Sequence, residues 1–428
     1  MAEGKNTVWT FIVLVAAVGS LCAGFLARNK ADMGSLASNK PLGVGLLAST
    51  DKKGETSEAE YFYEIAELLH QYYVEPVEVD QKMASGAVKG MVASLLDPES
   101  NFYEPEQFKT FQDSQSGNYS GIGVELDYIF NQSELKKLQD GKSDVDSLLL
   151  LPKVVISCVM PGSPAERAGL LPGDEIRIIQ GKYLVTGQDI QDLRDMQTKV
   201  TEKKATVEQL NKLRDAVQDH AKNSITSVKA RTILTSGTEG EIQMTIRRNG
   251  KEMPFDVGRA QTVVPAIDKN LDGRIALRFF RGAAAQIQQL TVESGMVFDL
   301  RNSGNGNYDE MERSLAKFVS AGPHGAIYNA DGKPVRPINA LTGTEQKLKV
   351  TLIVDNSTIG AAATFAHILE SSGVAQIQGA MPAESSWVEV QTLPDGSGYT
   401  LAIGKYSAQA PNTAAVAQNG GKPTVEDK

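Results

Sequence analysis

The chain is expected to be an α+β multidomain protein, on three observations. Its 428 residues exceed what one hydrophobic core ordinarily fills. Its 41% apolar content supports packed cores rather than a disordered chain. Its hydrophobic pattern also changes along the chain, from helical spacing near its start to short strands set off by turn residues further on.

The first element is an uncharged run from Val8 to Ala27, preceded by Lys5 and followed by Arg28 and Lys30. Twenty such residues match the span of a bilayer core, and no small-residue cleavage site ends the run. Residues 1–30 are therefore read as an uncleaved membrane anchor, and the Ser, Gly, Lys and Ala rich residues 31–56 as a tether. From Ser57, apolar residues Tyr61, Phe62, Ile65, Leu68, Leu69 and Tyr72 recur at helical spacing, and a second helix is expected from Gln81 to Leu96. The stripe on the first helix is read as core packing, within a helical segment 57–115.

Residues 116–262 read as a domain of short strands. Ser163 suits an N-cap, Pro164 the first helical position and Glu166 the third position of a capping box, while Gly169 suits the helix end. Pro172-Gly173 turns the chain into a strand at 175–179, and the strand 241–247 runs into the hairpin signal Arg-Asn-Gly. Two stretches interrupt the pattern. Residues 130–147 lengthen one connection, and an insert at about 196–235 carries Val200, Val207, Leu210, Leu213 and Val217 as a narrow apolar stripe among charges. That stripe suits a helical arm or hairpin, packed on its own domain or presented to a partner.

Charge and composition exclude several classes. A formal charge of −9 and a pI near 5.2, without a Lys/Arg run, argue against nucleic acid as partner. Cys22 and Cys158 cannot pair within the soluble part, and four histidines without ligand spacing leave no metal site. No cofactor is expected.

Several segments together resemble the carboxyl-terminal processing peptidases, the S41 family of PDZ-containing serine peptidases. Tyr73-Val-Glu-Pro and Ser94-Leu-Leu-Asp-Pro-Glu-Ser are similar to the family's helical segment. Ser120-Gly-Ile-Gly-Val-Glu-Leu, then Val159-Met-Pro-Gly-Ser-Pro-Ala-Glu-Arg-Ala-Gly and Leu171-Pro-Gly-Asp-Glu-Ile, resemble a PDZ domain and its carboxylate-binding loop. Met296-Val-Phe-Asp-Leu-Arg-Asn-Ser-Gly-Asn-Gly and the stretch Leu352–Leu369 resemble the family's active-site region. The resemblance implies a PDZ domain at 116–262, a ClpP/crotonase-like α/β peptidase core at 263–410, and a loose tail at 411–428.

The resemblance also implies a Ser-Lys dyad, which this chain departs from. Aligned without gaps from Val354 to Gly379, the nucleophile position is Gly360, the lysine position Ser385 and the following glutamine position Glu389, with Gln391 two residues on. No lysine lies between Lys349 and Lys405. The implied oxyanion donors fall on Gly306 and Ala361, with Gly304 at the family's proline and Asn305 at its first glycine. The implied peptide-binding residues are Gly121, Ile122, Gly123 and Val124, whose amides would receive a terminal carboxylate while the following strand pairs with the tail.

The expected function is that of a membrane-anchored pseudopeptidase with its body in the periplasm or another extracytoplasmic compartment. It would bind peptides or protein C-termini through its PDZ domain, as a homo-oligomer or paired with an active homologue. The alternatives are an active serine peptidase with a displaced nucleophile, Ser357 or Thr358, and Lys405, His367 or Glu384 as base, or a structural subunit assembled through the insert and N-terminal helices.

Overall fold

The computed structural model describes residues 58–74, 81–97, 99–140, 142–269, 272–304, 306–344, 347–381 and 385–409. The expected anchor, tether and tail lie outside them, and among the described residues no helix is long and apolar enough to cross a membrane. The chain divides into two compact units, 1–96 with 392–397, and 97–391 with 398–428.

The first unit holds α1 (Glu58–Tyr72) and α2 (Gln81–Ser94). Apolar spacing located both helices but misassigned the stripe of α1. Ile65, Leu69 and Tyr72 are 54%, 43% and 52% exposed and Leu68 is half-buried, so this part of the stripe is not packed as a core. Periodicity marks one side of a helix and carries no information on what covers it.

The second unit begins with β1 (Phe102–Tyr103), α3 (Pro105–Ser114) and β2 (Asn118–Tyr119). A PDZ-like part follows, with β3 (Val124–Ile129), α4 (Gln132–Gln139), β4 (Lys153–Val159), α5 (Pro164–Ala168), β5 (Glu175–Ile179) and β6 (Lys182–Tyr183). It continues with α6 (Gly187–Thr201), α7 (Val207–Lys222), α8 (Ser227–Thr235), β7 (Glu241–Arg248) and β8 (Lys251–Gly258). Its sheet runs β3-β4-β5-β7-β8 with β6 beside β5, so β3 is an edge strand. Most local signals act as read, but the capping box is not closed, because Glu166 Oε2 accepts the Gly162 amide at 2.7 Å while the Ser163 amide donates to the Met160 carbonyl. Ser163 Oγ accepts the Glu166 N–H, Gly169 ends α5 at φ +80°, and Asn249 and Gly250 take the positive φ values of a tight hairpin between β7 and β8.

The interruptions have their own structure. Asn131 caps α4 by accepting from the Ser133 and Glu134 amides. Residues 196–235 hold the end of α6, all of α7 and all of α8, and α6 packs against α7 as a helical hairpin. Val217 is buried, Val200, Leu210 and Leu213 are half-buried, and Val207 is exposed, so most of the stripe is packed. Arg177 ties α6 to the sheet, donating to Glu175 at 3.0 Å and to Asp189 at 2.6 Å. Burial alone would raise the Asp189 pKa, but the Arg177 hydrogen bond and charge outweigh it and hold the carboxyl below its usual range. Helix α8, which the sequence placed inside the insert, packs on β3, and its Ala230 and Leu234 belong to the core of the PDZ-like part.

The remainder is an α/β core. It contains β9 (Thr262–Val263), β10 (Ile267–Lys269), β11 (Ile275–Leu277), α9 (Ala283–Gln288), β12 (Val297–Asp299) and α10 (Tyr308–Leu315). It continues with β13 (Gly322–Tyr328), β14 (Pro334–Ala340), β15 (Val350–Ile353), α11 (Gly360–Ser371), β16 (Ala375–Gln378), β17 (Ser386–Thr392) and β18 (Gly398–Ser407). One sheet runs β10-β11-β12-β15-β16, parallel from β11 onward, and a second runs β1-β18-β13-β14 with β17 on β18. Helix α11 is buried over nine residues, and Ala361, Ala362 and Ala363 lie within its buried first turn. Phe365 on this helix stacks its ring 4.8 Å from Phe279 and 5.2 Å from Phe318.

Candidate active site

Strand β15 delivers the chain to a turn at Asp355–Ile359, after which α11 begins at Gly360 with φ +58°. An L-residue in that left-handed conformation is strained, and glycine adopts it freely. The Gly360 amide donates to Ser385 Oγ at 2.8 Å. The two positions that the alignment assigned to nucleophile and base therefore meet in space. Between them stand an amide and a hydroxyl, with no side chain at all on the nucleophile side.

Glu389, at the glutamine position, accepts from Trp387 Nε1 at 3.2 Å and pairs with Arg336 at 3.6 Å. Arg336 also lies 4.5 Å over the Trp387 ring, so Glu389 belongs to a cation–π and ion-pair cluster.

The expected oxyanion residues are also adjacent. Gly306 sits at φ +60°, and a Cβ placed there would lie 3.3 Å from Ala361 Cβ and 3.5 Å from the Phe279 carbonyl. Gly304, at φ +56°, leaves no room for a side chain, because a Cβ would meet Glu125 Oε1 at 2.4 Å. Glu125 comes from β3 and also accepts from the Tyr119 hydroxyl at 2.9 Å. A carboxylate resting on this turn opposes negative charge developing beside it, which is the reverse of what an oxyanion hole provides. Asn305 lies outside the described residues.

The displaced hydroxyls are pins of the turn. Ser357 is 1% exposed, donates to Asp355 Oδ1 at 2.5 Å and accepts from the Asn302 amide at 2.8 Å. Thr358 Oγ1 donates to the Leu300 carbonyl at 3.1 Å and accepts from the Asp355 amide at 3.2 Å. Their proposed bases stand elsewhere. Lys405 is exposed on β18, His367 is two turns along α11, about 10 Å of helix rise from its start, and Glu384 lies outside the described residues. One hydroxyl does meet an imidazole, Ser372 with His324 Nδ1 at 3.2 Å, but at the C-terminal end of α11. The helix dipole there disfavours an oxyanion.

Sequence reasoning passed over Glu99, whose two carboxylate oxygens each accept the Ser386 amide at 3.2 Å. Its only signal was the Asp-Pro-Glu-Ser segment, which gives no hint of a partner 287 residues away. Nearby, the Tyr308 hydroxyl donates to the Ser386 carbonyl and Thr364 Oγ1 donates to the Gly360 carbonyl at 3.2 Å. Burial is the main cause that raises the Glu99 pKa, aided by Asp97 and Asp127 and opposed by its bonds to Ser386. A raised folded-state pKa means the stability tied to this group is complete below about pH 4.5, the ordinary glutamate range, and is lost as pH rises through the folded value. Glu99→Gln keeps an acceptor without the charge. Its melting temperature is expected to rise relative to the unaltered chain between pH 4 and 7, and parallel pH profiles would contradict the assignment.

The peptide-binding loop is closed. Gly121 and Gly123 take φ +83° and +79°, as carboxylate loops with positive-φ glycines require, but their open sides are filled. A Cβ on Gly121 would meet the Leu234 carbonyl at 2.1 Å, and one on Gly123 would meet Ser163 Cβ at 2.3 Å. The Gly121 amide donates to the Gly237 carbonyl at 2.7 Å and the Ile122 amide to the Leu234 carbonyl at 3.0 Å. Ile122 and Val124, expected to line a pocket for the last side chain, are 0% and 3% exposed in the core of the PDZ-like part. Among the described residues no group of His, Cys, Asp or Glu is arranged to hold a metal ion.

Comparison with known proteins agrees with this architecture. Residues 276–426 match peptidase family S41 and residues 155–197 match the PDZ domain. The carboxy-terminal processing protease CtpB of Bacillus subtilis is 27% identical over 431 residues, spanning 97% of this chain and 78% of that protein. CtpA of the same organism is 24% identical over 411 residues, spanning 92% and 72%. Among solved structures, the photosystem II D1 C-terminal processing protease superposes with a TM-score of 0.52 at 17% identity, covering 82% of this chain and 89% of that one. That likeness is one of fold.

Proposed function

The chain belongs to the S41 carboxyl-terminal processing peptidases, and from that footing we propose that it is a non-hydrolytic member that holds protein tails rather than cutting them. The observation that carries the proposal is the 2.8 Å contact of the Gly360 amide with Ser385 Oγ, which occupies the meeting point of nucleophile and base with groups that cannot do their work. The pinned hydroxyls of Ser357 and Thr358, and the Glu125 carboxylate on the oxyanion turn, support the same reading.

Tails would be taken along the free edge of β3 by strand addition, with the terminal carboxylate at the amides of Gly121 to Val124. Since those of Gly121 and Ile122 are engaged by the end of α8 and the turn after it, capture requires that segment to yield, and affinity for a short tail should be micromolar or weaker, about −8 kcal/mol at most. The test compares matched peptides with free and amidated C-termini by fluorescence anisotropy. Tighter binding of the free form supports carboxylate capture, and equal binding rejects it.

We place the body outside the cytoplasm, held by a single span at residues 8–27, with self-association or pairing with an active homologue as its assembly. Deleting residues 2–30 is expected to release a folded protein from the membrane fraction. Retention of the shortened chain after a high-salt wash would require a second attachment.

A further inference from the structure

The groove between β3 and α8 is held shut by the chain itself, and one side chain of that closure keeps a buried donor without a partner. Because β3 is an edge strand, its outer side is open to backbone pairing, yet Arg231 Nη2 donates to the Leu126 carbonyl at 3.0 Å. The guanidinium lies 4.4 Å over the Tyr128 ring, and its Nε is buried without a hydrogen-bond partner. Asp127 acts on it through charge, not through a hydrogen bond, while the Tyr103 side chain is hydrogen-bonded to it, so the free donor is Nε. Helix α8 is further fastened by Gln107 Nε2, which donates to Thr232 Oγ1 at 2.7 Å, and by the Ile122 amide on the Leu234 carbonyl.

A tail whose carboxylate sits at the start of β3 must run antiparallel to that strand. Its last residue then lies opposite Val124 and its third from last opposite Leu126. Residues directly opposed point to the same face of a sheet. Val124 and Leu126 face the core to which Leu234 of α8 contributes, so the third side chain from the end is directed to the α8 side, where Arg231 stands. A buried guanidinium with an unpaired donor is best satisfied by a carboxylate, which accepts from two of its N–H groups at once.

We propose that Arg231 selects the tails this groove accepts: an acidic side chain third from a free C-terminus draws the guanidinium off the Leu126 carbonyl and frees the β3 edge for strand addition. This rests on the tail-capture reading and names the chemistry of the captured tail.

The test uses the full chain and two labelled ten-residue peptides with free C-termini, identical except for Glu or Gln at the third position from the end. On the unaltered chain the Glu peptide is expected to bind about tenfold more tightly, a typical size for one charge-assisted pair. Arg231→Met is expected to bind both peptides within twofold of each other, and to bind the Gln peptide more tightly than the unaltered chain does. Thr232→Ala, which removes the Gln107 anchor and a bond to the Val228 carbonyl within α8 but leaves Arg231 in place, is expected to keep the tenfold ratio. Equal binding of the two peptides by the unaltered chain overturns the proposal without needing any variant to fold, and so does a preference that survives Arg231→Met or vanishes in Thr232→Ala. Binding of neither peptide by any of the three proteins would instead overturn tail capture itself.

Discussion

Incubated with an unstructured protein tail, the chain is expected to cleave it on the order of 10⁶ more slowly than a dyad-bearing S41 peptidase of similar size, the usual consequence of losing a serine nucleophile. Gly360 supplies no attacking atom, and Ser385 presents a hydroxyl that accepts the Gly360 amide where a neutral lysine should stand. Reinstalling the pair as Gly360→Ser with Ser385→Lys is expected to leave the rate within threefold of background. Serine would have to take φ +58° at the head of a buried helix. The new lysine would also follow Glu384 directly in sequence and precede Ser386, whose amide is held by Glu99. A carboxylate that close keeps a lysine protonated and so unable to act as base. Tail turnover followed by gel and mass spectrometry checks both results.

The second large effect is on stability. Phe365→Ala should cost about 3–5 kcal/mol, the range for removing a fully buried aromatic side chain. Phe365 is 0% exposed and bridges Phe279 on the strand side to Phe318 beyond α10, so its loss leaves a cavity that rigid neighbours cannot fill. The melting temperature is expected to fall by on the order of 10 °C, with retained near-native circular dichroism below the transition. A shift of a degree or two would show that α11 is not seated on this cluster.

The features legible in the sequence were local or carried at fixed spacing. Ser163, Pro164 and Gly169 announce a capped helix because the first accepts a terminal amide, the second lacks the amide that would go unpaired and the third takes the left-handed turn that ends it. Asn249-Gly250 announces a hairpin because few other pairs accept two positive φ values. The twenty-five-residue step from Gly360 to Ser385 is a contact because α11 and β16 carry the chain away and the segment after β16 returns it to the head of the helix.

What was not legible depends on distant backbone or on exposure. The closure of the peptide loop is made by the Leu234 and Gly237 carbonyls, and a carbonyl has no residue type to read. The insert was drawn through α8, and it is packing on β3, invisible in the sequence, that sets α8 apart from α7. Glu125 on the Gly304 turn joins residues 179 apart in sequence, and the loss of the family's proline was the single hint that something else occupied that space.

The central claim is that no hydroxyl of this site is an activated nucleophile, and the most direct measurement is covalent labelling with a serine-reactive fluorophosphonate, read by intact mass and then by peptide mapping. No adduct is expected on Ser357, Thr358 or Ser385 under conditions that label an active serine hydrolase to completion. A stoichiometric adduct on any of the three, suppressed by an unstructured tail, would contradict it.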